Sequence, residues 1–498
     1  MKINEKLIFA RAYEQAVGPT VSKESRPVFH LTPWMGWMND PNGFSYYHGQ
    51  YHLFYQYNPY DVEWDAMHWG HAVSHDLLHW TYLPCAMAPD ESYDSFGVFS
   101  GSAIELRDGR QLLMYTGVRK EGNIKTSKDV QVQCIAVGDG LDYQKIDVNP
   151  VLDATCLPEG KSVNDFRDPR IWREEDGTYR CIIATCDKDR TGCILLFSSD
   201  DCFSWKYEGI LAENDGRLGK MWECPDLFTL EGKTVLFISP QDMLPEGFEY
   251  HNGNGTVCLI GTYDKQQKKF IPESDQAIDY GIDFYAPQTI LTPDGRRVMI
   301  GWMQNWDTCK LAFYDDRKWF GQMSIPRELS ICDGRLYQQP IRELALYRSK
   351  KVEYKGVPLD GELTLDGIEG RVTELDMRIR AEDPDSSYHK FIFRFAQNDQ
   401  YYSMLIYRPD EELLQIDRKF SGSRRAFIHQ RRCQVPEKNG ELHLHVILDR
   451  FSVEVFINDG EKVMTATIMT DADARGISFL SEGKVRMDIT KYSLFEEE

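Results

Sequence analysis

Basic residues are in short supply in this 498-residue chain: 57 Lys and Arg stand against 78 Asp and Glu, for a formal net charge of −21. An acidic protein repels phosphate backbones, and no basic run is interleaved with aromatic residues, which excludes nucleic-acid binding. Long apolar runs are lacking too. Lys2, Glu5, Lys6, Arg11 and Glu14 punctuate the first 17 residues, so no signal-peptide core forms there, and no later stretch is long enough to span a bilayer. Residues 1–25 read as a leader with a short amphipathic helix. Zinc-type cysteine pairs are also missing, since Cys181 and Cys186, or Cys193 and Cys202, are wrongly spaced. Twelve cysteines without an export signal imply reduced, inert thiols in a cytoplasmic protein.

What the chain does have is apolar and aromatic weight: 42% hydrophobic residues, with 26 Tyr, 25 Phe and 11 Trp. That composition suits β structure and equally suits stacking on sugars. The length suggests two or three domains. Five segments then repeat one pattern, in which a small residue or Pro is followed by a short apolar stretch, a turn glycine and a strongly apolar strand. They start at Pro41, Gly101, Pro169, Cys224 and Pro287, and their glycines are Gly49, Gly109, Gly177, Gly232 and Gly295. Each reads as a β-hairpin whose tip needs a residue at positive φ. Successive glycines lie 60, 68, 55 and 63 residues apart, which holds about four strands, the size of a propeller blade. A second marker recurs, with Ser74, Asp76 and Trp80 matched by Ser199, Asp201 and Trp205.

The expected fold is therefore all-β, a five-bladed β-propeller over residues 26–340. Residues 341–351 (IRELALYRSKK) read as a helical linker. Residues 352–498 alternate apolar and polar positions and predict a C-terminal antiparallel β-sandwich. One position before each repeat stand Asp40, Ser100, Asp168, Glu223 and Ala286. Equivalent positions in a radial fold converge on its axis, so three carboxylates should meet in one central pocket. Asp before Pro can simply open a turn, but three such acids in register call for chemistry.

Two carboxylates across a sugar make a glycosidase, and a third can hold hydroxyls or steady positive charge at the transition state. Trp34, Trp37, Trp64 and Trp69 crowd the first blade and could wall a sugar site or simply pack. A nucleophile has to be ionised, and Asn39 and Asn42 are candidate donors to keep Asp40 charged. A general acid needs a raised pKa, for which Glu223, close to two other carboxylates, is the candidate.

Seven ordered motifs then carry a family resemblance: Trp37-MNDPNG, Tyr51-HLFYQYNP, Trp69-GHAVSHDLLHW, Phe99-SGSA, Phe166-RDP, Trp222-ECPDLF and Asp283-FYAPQT. With the later Phe451-SVEVFINDG, they resemble the invertase, levanase and sucrose-6-phosphate hydrolase family from about His30 to the end of the chain. The resemblance implies a retaining β-fructofuranosidase with Asp40 as nucleophile, Glu223 as general acid/base and Asp168 holding fructose hydroxyls. It implies that Asn39, Gln56, Trp64, Phe99, Ser100, Arg167, Tyr285 and Trp302 line the fructose subsite. The partner is a small sugar with a terminal fructose, with no metal and no cofactor. Sucrose, sucrose 6-phosphate and short fructo-oligosaccharides all fit, and nothing in the sequence sets the oligomeric state.

An exo-acting fructan hydrolase, a fructosyltransferase, a non-catalytic sugar-binding propeller and an arabinan- or xylan-cleaving propeller are the other readings. Retention of all three acids speaks against pure binding, and the WMNDPNG and ECPDLF motifs speak against arabinan or xylan. His68, His71, His75 and His79 would share a face on a helix, a tempting metal site. Gly70 and the turn marker place them on a strand and a turn instead, where they would not converge.

Overall fold

The structure is a computed structural model that describes residues 4–122, 128–309, 317–383, 387–422 and 428–495. Five antiparallel sheets form in chain order, and each is hydrogen-bonded from an inner strand outward. The inner strands are Gly36–Tyr47, Gly97–Glu105, Lys161–Arg173, Trp222–Leu230 and Tyr285–Leu291. Each lies against the next, and the fifth lies back against the first, closing the ring of a five-bladed propeller. A short strand after the fifth inner pair, Trp319–Phe320, pairs in parallel with Gly36 and Trp37 of the first blade and ties the ends of the ring together.

The five turn glycines have φ between +82° and +87°; a Cβ added to Gly49, Gly109, Gly232 or Gly295 would meet nothing within 4 Å, and one added to Gly177 would meet only the flexible end of the Arg107 side chain, at 2.8 Å. Glycine is therefore required at these tips by backbone conformation and not by space. The Ser-x-Asp marker is one turn used twice. Ser74 Oγ accepts from Asp76 N and Leu77 N at 3.2 and 2.8 Å, and Ser199 Oγ accepts from Asp201 N and Cys202 N at 3.2 and 2.9 Å.

After the fifth blade the chain makes a six-residue 3-10 helix, Arg342–Tyr347, and then enters the strand Arg348–Leu363. The predicted helical linker is thus shorter than its sequence suggested. Its basic end, Arg348 to Lys351, is already paired in a sheet, because alternation with Val352 and Tyr354 favours a strand. Ten strands then form one antiparallel sheet folded into a sandwich. The fold follows the strand Gly476–Leu494, whose first part pairs with Lys390–Gln397 and whose second part pairs with Thr373–Ala381. Gly483, at φ +100°, sits where the strand passes from one layer to the other, and a Cβ there would lie 2.9 Å from Tyr388 Cα.

Propeller and sandwich meet through buried charge. His30 binds Asp449 Oδ2 at 2.8 Å and Glu454 Oε1 at 2.9 Å, while Arg327 donates to Glu454 Oε2 at 2.6 Å and to Asp279 Oδ2 at 3.0 Å. Glu454 belongs to the Phe451-SVEVFINDG segment, so that motif docks the two units. The helix Glu5–Val17 packs on the outer edge of the first blade, where Glu14 accepts from Cys85 N at 2.9 Å. Met1–Ile3 of the predicted leader lie outside the described residues. No helix of the described residues is long and apolar enough to cross a membrane.

Candidate active site

Every inner strand is irregular at the same level. Asn39 and Asp40 lie together opposite Gln56, and Ser100 is an extra residue between the pairs made by Phe99 and Gly101. Asp168–Pro169 face Ile183, Cys224–Pro225 face Ile238, and Ala286–Pro287 face Gly301. Each is a β-bulge, which bends the strand and re-aims a side chain, here toward the propeller axis. Proline suits a bulge because it has no N–H to leave unpaired. That is the physical content of the small-or-Pro position in the repeat. The bulges carry strain as well: Asp168, Cys224 and Ala286 have φ of +64°, +47° and +51°, a region that costs a non-glycine residue about 1 kcal/mol or more.

Counting back from the glycines placed Glu223 level with Asp168, and the ladder corrects this by one residue. Glu231–Gly232 is a two-residue turn joining Leu230 to Lys233, whereas Gly177 belongs to a longer loop between Arg173 and Tyr179. Cys224 therefore takes the bulge position that Asp168 holds in the third blade, and Glu223 enters one residue earlier.

The three acids nonetheless meet. Ser100 Oγ donates to Asp40 Oδ2 at 3.1 Å, while Asp40 Oδ1 is buried with no hydrogen-bond partner. Cys224 N donates to Asp168 Oδ2 at 2.9 Å, and the Cys224 thiol lies between the aspartates, 3.6 Å from Asp168 Oδ2 and 3.8 Å from Asp40 Oδ2. Arg167 forks onto Glu223 Oε1 through Nε at 3.0 Å and Nη2 at 2.9 Å, and Tyr285 OH donates to Glu223 Oε2 at 2.6 Å. Asp165 and Gln131 hold the remaining guanidinium nitrogen at 2.9 and 3.3 Å.

The electrostatics run opposite to the expectation for Asp40. Burial, then the charges of Glu223 and Asp168, push its carboxyl up to about 7, against weaker pulls from Asn39 and Ser100. Asn42 does not help, because its side-chain nitrogen is buried without a partner. Burial also raises Asp168 to about 6, with Arg167 opposing and Glu223 adding to the rise. The Cys224 thiol is pushed well above its ordinary value by burial and by Asp168 and Asp40, so it stays protonated. The strong donors gather on Glu223, and the desolvated, repelled carboxylate is Asp40.

These groups form the floor of a cavity of about 840 Å³. Asn39, Gln56, Trp64, Phe99, Ser100 and Arg167, each a candidate from the sequence, line it with the three acids. Tyr285 and Trp302 are fully buried and do not reach its surface. Tyr285 touches the site only through its hydrogen bond to Glu223, and Trp302 backs Trp37 and Trp306, with ring centroids 6.0 and 5.0 Å away. Among the four early tryptophans, Trp37 and Trp64 line the cavity. Trp34 stacks on Tyr82, and Trp69 is buried with its N–H on Phe99 O at 3.1 Å.

The outer wall escaped the sequence reading: Glu63, Asp129, Gln131, Asn164, Asp165, Arg190, Gln241, Asn254, Trp306 and Cys309. Asn164 and Asp165 adjoin the Phe166-RDP motif and were within reach of it. The others sit in strands and loops that carry no repeat.

The four histidines do not converge. His71 meets His52 at 3.0 Å, His75 meets Gln50 at 3.0 Å, and His79 meets Asp76 at 2.8 Å. Among the described residues, no group of three His, Cys, Asp or Glu could hold a metal ion.

Residues 30–340 match the model of the glycosyl hydrolases family 32 N-terminal domain, and residues 343–496 match that family's C-terminal model. The chain is 35% identical to a sucrose-6-phosphate hydrolase of Zymomonas mobilis, covering 96% of this chain and 94% of that protein. It is also 35% identical to the raffinose invertase of Escherichia coli, covering 91% of each. A variant of the Bombyx mori family 32 β-fructofuranosidase, solved in complex with sucrose, superposes with a TM-score of 0.82 at 30% identity over 99% of both chains.

Proposed function

The chain belongs to glycosyl hydrolase family 32, and from that premise we propose that it is a retaining β-fructofuranosidase in which Asp40, Glu223 and Asp168 divide the work. The observation that carries this reading is the convergence of three carboxylates and one forked arginine on the floor of a single cavity. Asp40 Oδ1, which has no protein partner, is the oxygen free to attack the anomeric carbon of the fructosyl unit. Glu223 gives its proton to the departing glycosidic oxygen, so the bond to the leaving sugar breaks as the bond to Asp40 forms. In the second half Glu223 takes a proton from water, and the resulting oxygen displaces Asp40 with overall retention. Asp168, held by Cys224 N, accepts from fructose hydroxyls, and Arg167 and Tyr285 fix where Glu223 points.

Substrates are sucrose, sucrose 6-phosphate and short fructo-oligosaccharides, all presenting the same terminal β-D-fructofuranosyl group. The catalytic unit is residues 26–340, joined through 341–351 to the sandwich at 352–498. Ten of the twelve cysteines are buried, which supports a cytoplasmic setting.

The test is chemical. Asp40→Ala should lose turnover and keep its fold. Glu223→Ala should recover turnover of an activated fructoside when azide is added, because a good leaving group needs no acid and azide, which needs no base, displaces Asp40 in place of water to give the fructosyl azide. Near-native turnover by Asp40→Ala, or no azide effect on Glu223→Ala, would overturn the roles.

A further inference from the structure

We propose that the helix Glu5–Val17 is a working part of the active site: Phe9 and Tyr13 hold Tyr60, and through it the segment that sets Trp64 in the cavity wall. The inference rests on the reaction proposed above, because it makes Phe9 and Tyr13 positioning residues for the sugar. The helix lies outside residues 30–340, the stretch that matches the family's N-terminal model. It docks on the outer strand Trp80–Met87 without these two rings. Ala10 is fully buried, Glu14 accepts from Cys85 N at 2.9 Å, and Arg11 Nε donates to Cys85 O at 2.9 Å. Phe9 and Tyr13, four residues apart, share a stripe of the helix. Their ring centroids lie 6.3 Å from each other, and 5.6 and 5.4 Å from that of Tyr60. Phe9 remains 60% exposed, so burial of its ring adds little to the docking of the helix. What it contributes is the contact with Tyr60.

Tyr60 stands near the start of the segment 59–66, which lies between the first-blade strands Gln50–Asn58 and His68–Ser74 and has no regular structure. Among the described residues, no backbone–backbone hydrogen bond holds it. Asn58 brackets its first half, accepting from Tyr60 N at 3.1 Å and donating to Glu63 O at 2.8 Å. Beyond that bracket it is anchored by packing. Val62 packs against the cluster that contains Trp37 and Trp302, and Tyr60 packs against the helix. Glu63 and Trp64 follow directly and line the cavity. Trp64 is 37% exposed there, with its ring 5.8 Å from Phe99 and 6.1 Å from Phe96. A loop with few backbone tethers places its side chains only as well as its packing anchors hold it. Freeing Tyr60 therefore loosens Trp64, while the three acids keep their places on the inner strands. An apolar wall meets the sugar alike before and during the reaction, so loosening it weakens binding and spares the chemical step.

The experiment is steady-state hydrolysis by Phe9→Ala and Tyr13→Ala of whichever of sucrose and sucrose 6-phosphate the parent cleaves faster. It is paired with fluorine NMR of the full chain labelled with fluorotryptophan, in which the signal lost in Trp64→Phe identifies Trp64. Each variant should raise KM by about 2- to 10-fold, the worth of one aromatic pair, with kcat and the acid limb of the pH profile unchanged. Phe9→Tyr, which keeps a ring, should keep the parent's KM. Ile8→Ala, an equally exposed neighbour outside the ring cluster, should change nothing. In a Tyr60→Ala background, Phe9→Ala should have no further effect, since its route to the site is already cut. The Trp64 signal should shift or broaden in Phe9→Ala and stay in place in Ile8→Ala. An unchanged KM, a fall in kcat alone, or an unmoved Trp64 signal in Phe9→Ala would overturn the proposal. A parent that cleaves neither sugar would count against the reaction instead, and the Trp64 signal would still decide whether the helix holds the wall.

Discussion

Asp40→Asn should make this protein more stable, and by an amount that depends on pH. The carboxyl of Asp40 is raised from 3.8 to about 7 in the folded chain, mainly by burial and then by Glu223 and Asp168. Between those two values the folded state holds a proton that the unfolded state has released. Stability therefore falls as pH rises through that window. At 1.36 kcal/mol per unit of pKa difference, Asp40 costs about 4 kcal/mol near pH 8, where it is ionised in the folded chain, and about 2 kcal/mol near pH 5.5, where the folded chain has to bind a proton. Asparagine keeps the shape, and its amide oxygen can still accept from Ser100 Oγ, but it carries no charge to desolvate or repel. The Asn variant should thus melt above the parent at both pH values, with roughly twice the advantage at pH 8. Differential scanning calorimetry on both proteins reads this directly. An Asn variant no more stable than the parent at pH 8, or an advantage equal at the two pH values, would refute the argument that the nucleophile is held against its own solvation. The gain would come with loss of activity, as expected where a site is strained for function.

The same carboxyl should set the acid side of the rate profile: kcat/KM should fall as pH drops below about 7, where Asp40 takes up its proton. Asp168→Asn removes one of the charges that raise Asp40, so its residual activity should keep an acid limb moved downward by about half a unit or more. An unmoved limb would count against the coupling. Tyr285→Phe deletes the 2.6 Å hydrogen bond to Glu223 and should lower kcat/KM by about 10- to 100-fold, mostly in kcat. Steady-state kinetics checks it, and a pure KM effect would refute it. His30, raised to about 9 between Asp449 and Glu454, contributes stability that is complete below 6.5 and lost as pH rises through 9. His30→Gln should then cost about 3 kcal/mol near pH 6 and much less near pH 10, measured by melting temperature.

Much of the architecture was legible because short-range physics repeats. Gly49, Gly109, Gly177, Gly232 and Gly295 mark tips that require positive φ, and that requirement is local. The prolines at the inner-strand bulges are local as well, since a residue without an N–H is tolerated where the ladder slips. From these marks alone the chain announced five blades and three axial acids. Where the reading slipped, long-range pairing was the cause. Glu223 stands one residue off its counted register because one hairpin turn is shorter than another. The linker helix lost its basic end because a strand more than a hundred residues away pairs with it.

Two things belonged to tertiary structure alone. The outer wall of the cavity, including Trp306 and Arg190, assembles from segments that share no motif. The raised proton affinity of Asp40 followed from its burial and from the charges of Glu223 and Asp168, which are far from it in the chain. The sequence by itself determined which side chains would point at the axis, because β periodicity and turn geometry are properties of neighbours. Folding decided how strongly each holds its charge, because burial and Coulomb repulsion depend on everything that surrounds it.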